Sequence, residues 1–289
     1  MPYINELGKH GVKMELKDEV LTVSGKLASG VYELPGDVSS QFVSGLLLAL
    51  PLLDGDSEIK LTTKLESASY VGLTTDCMAS FGVNVQETES GFIVKGGRNY
   101  RPQKYFIEAD YSQAAFFLVA NMLGGNYVCE GLREESLQGD KKILEIVSAC
   151  GARLVKSNGG IMTLGERHKA MTVDATDIPD LVPPLAALFS LCDGTSQIVG
   201  AKRLRLKESD RLASVASELN KLGADIIENE DSLTIHGVRK LKGGHVTSPN
   251  DHRIAMMCAV ASLRCETPVY LTGWGDVAKS YPKFWEDFE

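Results

Sequence analysis

Five of the ten residues from Lys202 to Arg211, KRLRLKESDR, are basic, in a chain whose net charge is −8. Arg203, Arg205 and Lys207 alternate, which would put them on one face of a strand. Glu208, Asp210 and Arg211 follow, and the pattern predicts a helix from about Leu212. Cations at the mouth of a helix N-terminus suit phosphate or carboxylate groups. Glu208, between Lys207 and Arg211, is placed to be a tuned acid or base. A solvated, ion-paired turn fits the same charges, and the pattern alone leaves both open.

Three further groups carry the same ambiguity. In Asn250-Asp251-His252-Arg253 an arginine opens an apolar helix, the wrong charge for the helix dipole unless an anion sits there. Ser39, Ser40 and Gln41 are three small hydrogen-bonding residues at the start of another apolar helix, able to cap it or to hold hydroxyl and phosphate oxygens. Asp180 lies between Ile178-Pro179 and Leu181-Val182-Pro183-Pro184, an N-cap or a base with a raised pKa. Lys279, in VAKSYP, reads on its own as a surface lysine.

These residues need elements to position them, and an internal repeat supplies those. INELGKHGVKMELKDEVLTVSG, TTDCMASFGVNVQETESGFIVKG, LEIVSACGARLVKSNGGIMTLG and VASELNKLGADIIENEDSLTIHG share one pattern. Each reads as a helix, a glycine, and two alternating runs joined by a polar turn. The glycine pairs Gly11/Gly25, Gly82/Gly96, Gly151/Gly165 and Gly223/Gly237 are each 14 residues apart, and the first members are separated by 71, 69 and 72 residues. A strand–helix block follows each hairpin, anchored by Asp37, Asp110, Asp177 and Asp251. Its helices, at 42–53, 114–123, 182–192 and 254–263, are apolar all round, as interior helices are. The expected unit is βαβαββ, about 70 residues long, with helices inside and sheets outside. The candidate residues fall near the starts of the strand–helix blocks, where equivalent loops converge.

Composition bounds the rest. The 289 residues are 44% hydrophobic and 24% charged, which excludes a disordered or fibrous chain. The acidic balance argues against nucleic acid as a partner, KRLRLK notwithstanding. The longest apolar stretch, Phe42 to Leu53, is too short to span a bilayer. Six cysteines without CxxC spacing read as reduced thiols in a cytoplasmic protein rather than as a metal or disulfide framework.

The stretches GDVSSQF, IPDLVPPLAALF, RLRLKESDR, SPNDHRIAM and GDVAKSYPKFWEDF together resemble the enolpyruvyl transferases, and within them the 5-enolpyruvylshikimate-3-phosphate synthases, over essentially the whole chain. The resemblance implies an inside-out α/β fold of barrel-like domains built from six βαβαββ repeats. It implies transfer of an enolpyruvyl group from phosphoenolpyruvate to the 5-hydroxyl of shikimate 3-phosphate, by addition and elimination, with no metal or organic cofactor.

By matching motif, Ser39, Ser40, Gln41, Ser67, Asp180 and Lys207 would bind shikimate 3-phosphate, with Tyr70 near Ser67. Gln41, Arg211, Arg253 and Lys279 would hold phosphoenolpyruvate. Asp180, Lys207 and Glu208 would be catalytic, Asp180 as base and Glu208 as proton donor and acceptor at the methylene. Arg203 stands where some members have asparagine and is not assigned. Six repeats need about 420 residues, so an N-terminal portion of about 130 is expected to be absent. Residues 1–108 would then be a partial shikimate-phosphate domain and 109–289 a second domain. The full-length enzyme would be monomeric, whereas this chain could self-associate through exposed apolar edges and have little activity alone. The sister enzyme acting on a UDP-sugar is disfavoured by KESDR and NDHR, and a non-catalytic, partner-dependent module is the third reading.

Overall fold

The structure, a computed structural model, describes residues 2–157, 159–165 and 168–289. Asn158, in the expected turn KSNGG, lies outside them. The chain divides into two compact units, Met1–Phe106 and Ile107–Glu289.

Unit 1 opens with α1 (Pro2–Lys9) and the hairpin β1 (Val12–Lys17) and β2 (Val20–Gly25). The turn residues Asp18 and Glu19 have φ of 48° and 63°, the left-handed pair that a two-residue hairpin requires. Every residue of β2 is exposed, Val20, Leu21 and Val23 among them. One complete repeat follows: β3 (Val31–Leu34), α2 (Ser40–Ala49), β4 (Ser57–Leu61), α3 (Ala68–Ser80), β5 (Gln86–Thr88) and β6 (Gly91–Val94). Its sheet runs β3-β4-β6-β5, with β3 and β4 parallel and the hairpin antiparallel. Tyr32, Leu34, Val43, Leu46, Leu47, Ile59 and Val94 are central to its core.

Unit 2 begins with α4 (Tyr111–Met122), β7 (Cys129–Glu130), α5 (Ile143–Ala149), β8 (Arg153–Ser157) and β9 (Gly160–Leu164). A second complete repeat comes next: β10 (Thr172–Asp174), α6 (Val182–Phe189), β11 (Thr195–Val199), α7 (Arg211–Lys221), β12 (Asp225–Glu228) and β13 (Leu233–His236). The chain closes with β14 (Gly244–Thr247), α8 (His252–Ser262), β15 (Val269–Thr272) and α9 (Phe284–Phe288). The order β10-β11-β13-β12 reproduces that of unit 1. β7-β9-β8 is three-stranded and β14-β15 is a parallel pair. α4, α6 and α8 pack on one another at the centre, and the sheets surround them.

Three expectations need correction. The helix read at 42–53 is not apolar all round: α2 buries only Ser40, Val43, Leu46 and Leu47, and Leu48 and Leu52 are 47% and 55% exposed. The others meet the expectation, since all of α6 is buried, as is all of α4 except Gln113. Arg203, Arg205 and Lys207 do not share a strand face, because Lys202–Leu206 forms a 3-10 turn in which only Leu204 is buried. The four Asp anchors are not equivalent. Asp110 and Asp251 cap α4 and α8, but Ser39 caps α2 and a 3-10 turn at Pro179–Leu181 leads into α6.

Candidate functional site

Unit 2 brings the starts of its helices into one charged cluster. Asp251 caps α8, accepting from the Arg253 amide at 3.0 Å. Asp210 caps α7, accepting from the Ala213 amide at 3.1 Å. Asp180 sits in the 3-10 turn before α6, and Lys279 ends a 3-10 turn at Trp274–Lys279. That last turn is fastened to the α8 cap: the Ser248 hydroxyl bonds Asp276 at 2.5 Å and the Asp251 carbonyl at 3.2 Å.

Arg211 is the hub, with its side chain 1% exposed. Its Nε donates to Asp251 Oδ2 at 2.9 Å, and its Nη2 to Asp251 Oδ1 at 3.1 Å and Glu208 Oε2 at 2.5 Å. Its Nη1 donates to Asp180 Oδ1 at 2.9 Å. The second Asp180 oxygen accepts from Arg253 Nη2 at 3.1 Å, and Lys207 Nζ lies 3.8 Å from the first. Lys279 Nζ donates to Glu208 Oε1 at 2.5 Å. Arg253, the unexplained cation at a helix start, is thus buried and ion-paired. It also donates to the Ser112 hydroxyl at 2.9 Å, from the first turn of α4. Four cations, Lys207, Arg211, Arg253 and Lys279, face three carboxylates, Asp180, Glu208 and Asp251.

The electrostatics follow from this crowding. Burial alone would raise Asp180, but Arg253, Lys207 and Arg211 outweigh it and hold its carboxyl well below the usual range. The raised pKa expected from an apolar context is therefore reversed. Burial also opposes ionisation of Glu208, and the Lys279 hydrogen bond and Arg211 charge bring it down to about 2. Lys207 is lowered, first by burial and then by Arg211 and Arg203, with Asp180 and Glu208 opposing. His252 falls to about 4 through burial and the charge of Arg253. Its Nδ1 and the Nε of Arg253 are buried without a hydrogen-bond partner, so the cluster retains donor and acceptor capacity. Among the described residues no group of three or more His, Cys, Asp or Glu side chains is arranged to hold a metal ion. Nor is any helix among them long and apolar enough to cross a membrane.

Unit 1 holds the remaining candidates. Ser39 caps α2 through the Gln41 amide at 3.3 Å, Ser40 is buried and Gln41 is exposed. Ser67, 2% exposed, precedes α3 with φ 54°, a left-handed conformation uncommon outside glycine. Tyr70 stands one turn on, and α2 packs against α3.

Sequence reasoning assigned Asp251 only as a helix anchor and did not single out Ser112. The available signal was position: Ser112 stands two residues beyond the capping Asp110, as the predicted Arg253 does beyond the capping Asp251.

The profile of the family described as EPSP synthase (3-phosphoshikimate 1-carboxyvinyltransferase) matches residues 2–288. A 3-phosphoshikimate 1-carboxyvinyltransferase of Clostridium kluyveri is 51% identical over 93% of this chain and 63% of its own length. That of Clostridium novyi is 47% identical over 99% of this chain and 67% of its own. The solved EPSP synthase of Acinetobacter baumannii superposes with a TM-score of 0.78 at 25% identity, over 99% of this chain and 69% of that one. The chain therefore spans about two thirds of the length of these relatives.

Proposed function

The chain belongs to the EPSP synthase family, and from that premise we propose that unit 2 carries the proton-transfer and phosphoenolpyruvate-binding groups of an enolpyruvyl transfer. The inside-out α/β fold is that of the family. The group would move from phosphoenolpyruvate to the 5-hydroxyl of shikimate 3-phosphate, with release of phosphate. The observation that carries this reading is the meeting of Asp180 and Glu208 on the one guanidinium of Arg211, ringed by Lys207, Arg253 and Lys279.

The reaction needs two separate proton transfers beside a polyanion. In the addition, the 5-oxygen bonds to the central carbon of phosphoenolpyruvate and its proton passes to Asp180. Glu208 delivers a proton to the methylene, giving a tetrahedral intermediate. In the elimination, Glu208 takes a proton back from the methyl group as the carbon–oxygen bond to phosphate breaks, and the proton held by Asp180 leaves with the phosphate. Arg253 and Lys279 hold the phosphoenolpyruvate anion, Lys207 the shikimate phosphate, and Arg211 reaches both carboxylates. No metal or organic cofactor is called on.

The same cations explain how the carboxylates become active. Asp180 and Glu208 are poor bases while Arg253, Lys207 and Lys279 rest on them. An anionic substrate draws those cations onto itself, so both carboxylates regain basicity as the site fills. Unit 1 carries the groups assigned to shikimate 3-phosphate, Ser39, Ser40, Gln41, Ser67 and Tyr70, and Gln41 is assigned to phosphoenolpyruvate as well.

Calorimetric titration of the chain with phosphoenolpyruvate, alone and beside shikimate 3-phosphate, tests this reading. Lys279→Ala and Arg253→Ala should each weaken phosphoenolpyruvate by about tenfold or more, which is about 1.4 kcal/mol. A chain that binds no phosphoenolpyruvate at millimolar ligand, or variants that bind it unchanged, would overturn the assignment.

A further inference from the structure

Lys207 and Glu208 stand on backbone that makes neither helix nor strand. The 3-10 turn ends at Leu206, and α7 begins at Arg211. The Lys207 amide closes the 3-10 turn on the Leu204 carbonyl at 3.4 Å, and beyond it no sheet ladder or helical hydrogen-bond series fixes where Glu208 points.

The Ser209 hydroxyl ties the bend to Asp251 Oδ2 at 3.0 Å, and Arg205 adds a broader restraint from the other side of the loop. Its Nη1 donates to Asp210 Oδ2 at 2.9 Å and to Glu228 Oε1 at 2.8 Å. Its Nε donates to the Glu230 carbonyl at 2.9 Å and its Nη2 to the Asn229 carbonyl at 2.8 Å. Asp210 meanwhile caps α7 with its other oxygen. One side chain, two residues before Lys207, thus reaches Asp210, two residues after Glu208, and ties both to the turn between β12 and β13. The Ala201 amide adds a backbone tie to the Asp231 carbonyl at 2.8 Å. Four acceptors on two segments match the fixed fork of a guanidinium, which a single ammonium nitrogen cannot span.

We propose that Arg205 is a positioning residue, whose clasp on Asp210 and on the 228–230 turn holds the bend so that Glu208 meets Arg211 and Lys279. Its weight for catalysis rests on the proton-transfer reading of Glu208. The clasp itself does not. Arg205 makes none of its hydrogen bonds to Asp180, Glu208 or Asp251, so it acts through the loop.

The titration of Glu208 reports the loop. Its carboxylate is faced by Arg211 from α7, Lys279 from the C-terminal 3-10 turn, Lys207 from its own bend and His252 from α8. Released from the clasp, it should leave Lys279 and titrate nearer an ordinary glutamate.

The measurement is carbon-13 NMR of the Glu208 carboxyl in the full 289-residue chain, assigned by its loss in Glu208→Gln. Arg205→Gln should raise the midpoint by about one pH unit. Arg205→Lys, which keeps the charge but not the fork, should raise it almost as much. Restoration of the low midpoint by lysine would reduce Arg205 to a distant charge and overturn the proposal. So would an unchanged midpoint in Arg205→Gln. If that variant does not fold, Asp210→Asn, which still caps α7, takes its place, and an unmoved midpoint there is equally fatal. A parallel phosphoenolpyruvate titration of the unaltered chain separates the two readings. If the ligand does not bind, the functional assignment falls while the Glu208 midpoint still decides the clasp.

Discussion

The sheets β3-β4-β6-β5 and β10-β11-β13-β12 have the same order and the same directions, yet the helices crossing between their parallel strands meet different surroundings. α2 leaves Leu48 half exposed, whereas α6 has no exposed residue, because α4 and α8 close over it. The helix starts differ in the same way. α2 opens on the neutral groups of Ser39, Ser40 and Gln41, while α7 and α8 open on a buried web of arginine and aspartate. A repeat therefore specifies its own sheet, and the neighbours it meets at the centre decide how dry its helix becomes and how much charge the helix start must compensate.

The sharpest way to break this contrast is to remove one cap from each unit. Asp251→Ala leaves the Arg211 guanidinium buried beside an empty place and should cost about 3–5 kcal/mol. Ser39→Ala removes a single neutral cap and should cost about 1 kcal/mol. Both tryptophans, Trp274 and Trp285, lie in unit 2, so fluorescence in urea reads that unit, and circular dichroism reads the sum. Equal costs would mean that the ionic web contributes nothing beyond capping.

Packing should give the next largest difference. Leu185→Ala in α6, where the side chain is 1% exposed, should cost about 2–5 kcal/mol. Leu48→Ala, 47% exposed, should cost less than about 1 kcal/mol. Similar values would show that α2 is as enclosed as α6.

Acid should separate the two units as well. Folding lowers His252 from 6.5 to about 4, so the unfolded chain binds more protons in that window. Unit 2 then loses stability as pH falls through it. Glu208, lowered from 4.5 to about 2, extends the loss further down, because its stabilisation is present above 4.5 and gone once the folded carboxyl is protonated. The urea midpoint followed by tryptophan fluorescence should fall across both windows, and His252→Gln should flatten the upper one. A midpoint constant from pH 6.5 to 4 would exclude the histidine contribution.

Much of this architecture was legible in the sequence because it is local. Gly11, Gly82, Gly151 and Gly223 all take positive φ, between 85° and 110°, where α1, α3, α5 and α7 end. That capping needs only the residues beside it. The alternation of Arg203, Arg205 and Lys207 misled because a short run of alternating leucine and cation suits a 3-10 turn as well as a strand. The residue types of the site were readable from charge and apolar context. Their partners were not, since Arg211 meets Asp251, and Arg253 meets Ser112, only once three repeats have folded together. The reversal at Asp180 has the same origin: neighbouring sequence showed apolar residues, and the cations came from elsewhere.

The parallel pairs carry a kinetic consequence. Val31 pairs with Glu58, Thr172 with Gln197 and Gly244 with Val269, each across an intervening helix, whereas the hairpin β12–β13 closes between Glu228 and Leu233. Short loops cost less entropy to close, so the helix–hairpin blocks should form early and the crossovers late. Until the last crossover closes, α4, α6 and α8 remain unsheathed, and the rate of that step sets how long the refolding chain is exposed to aggregation.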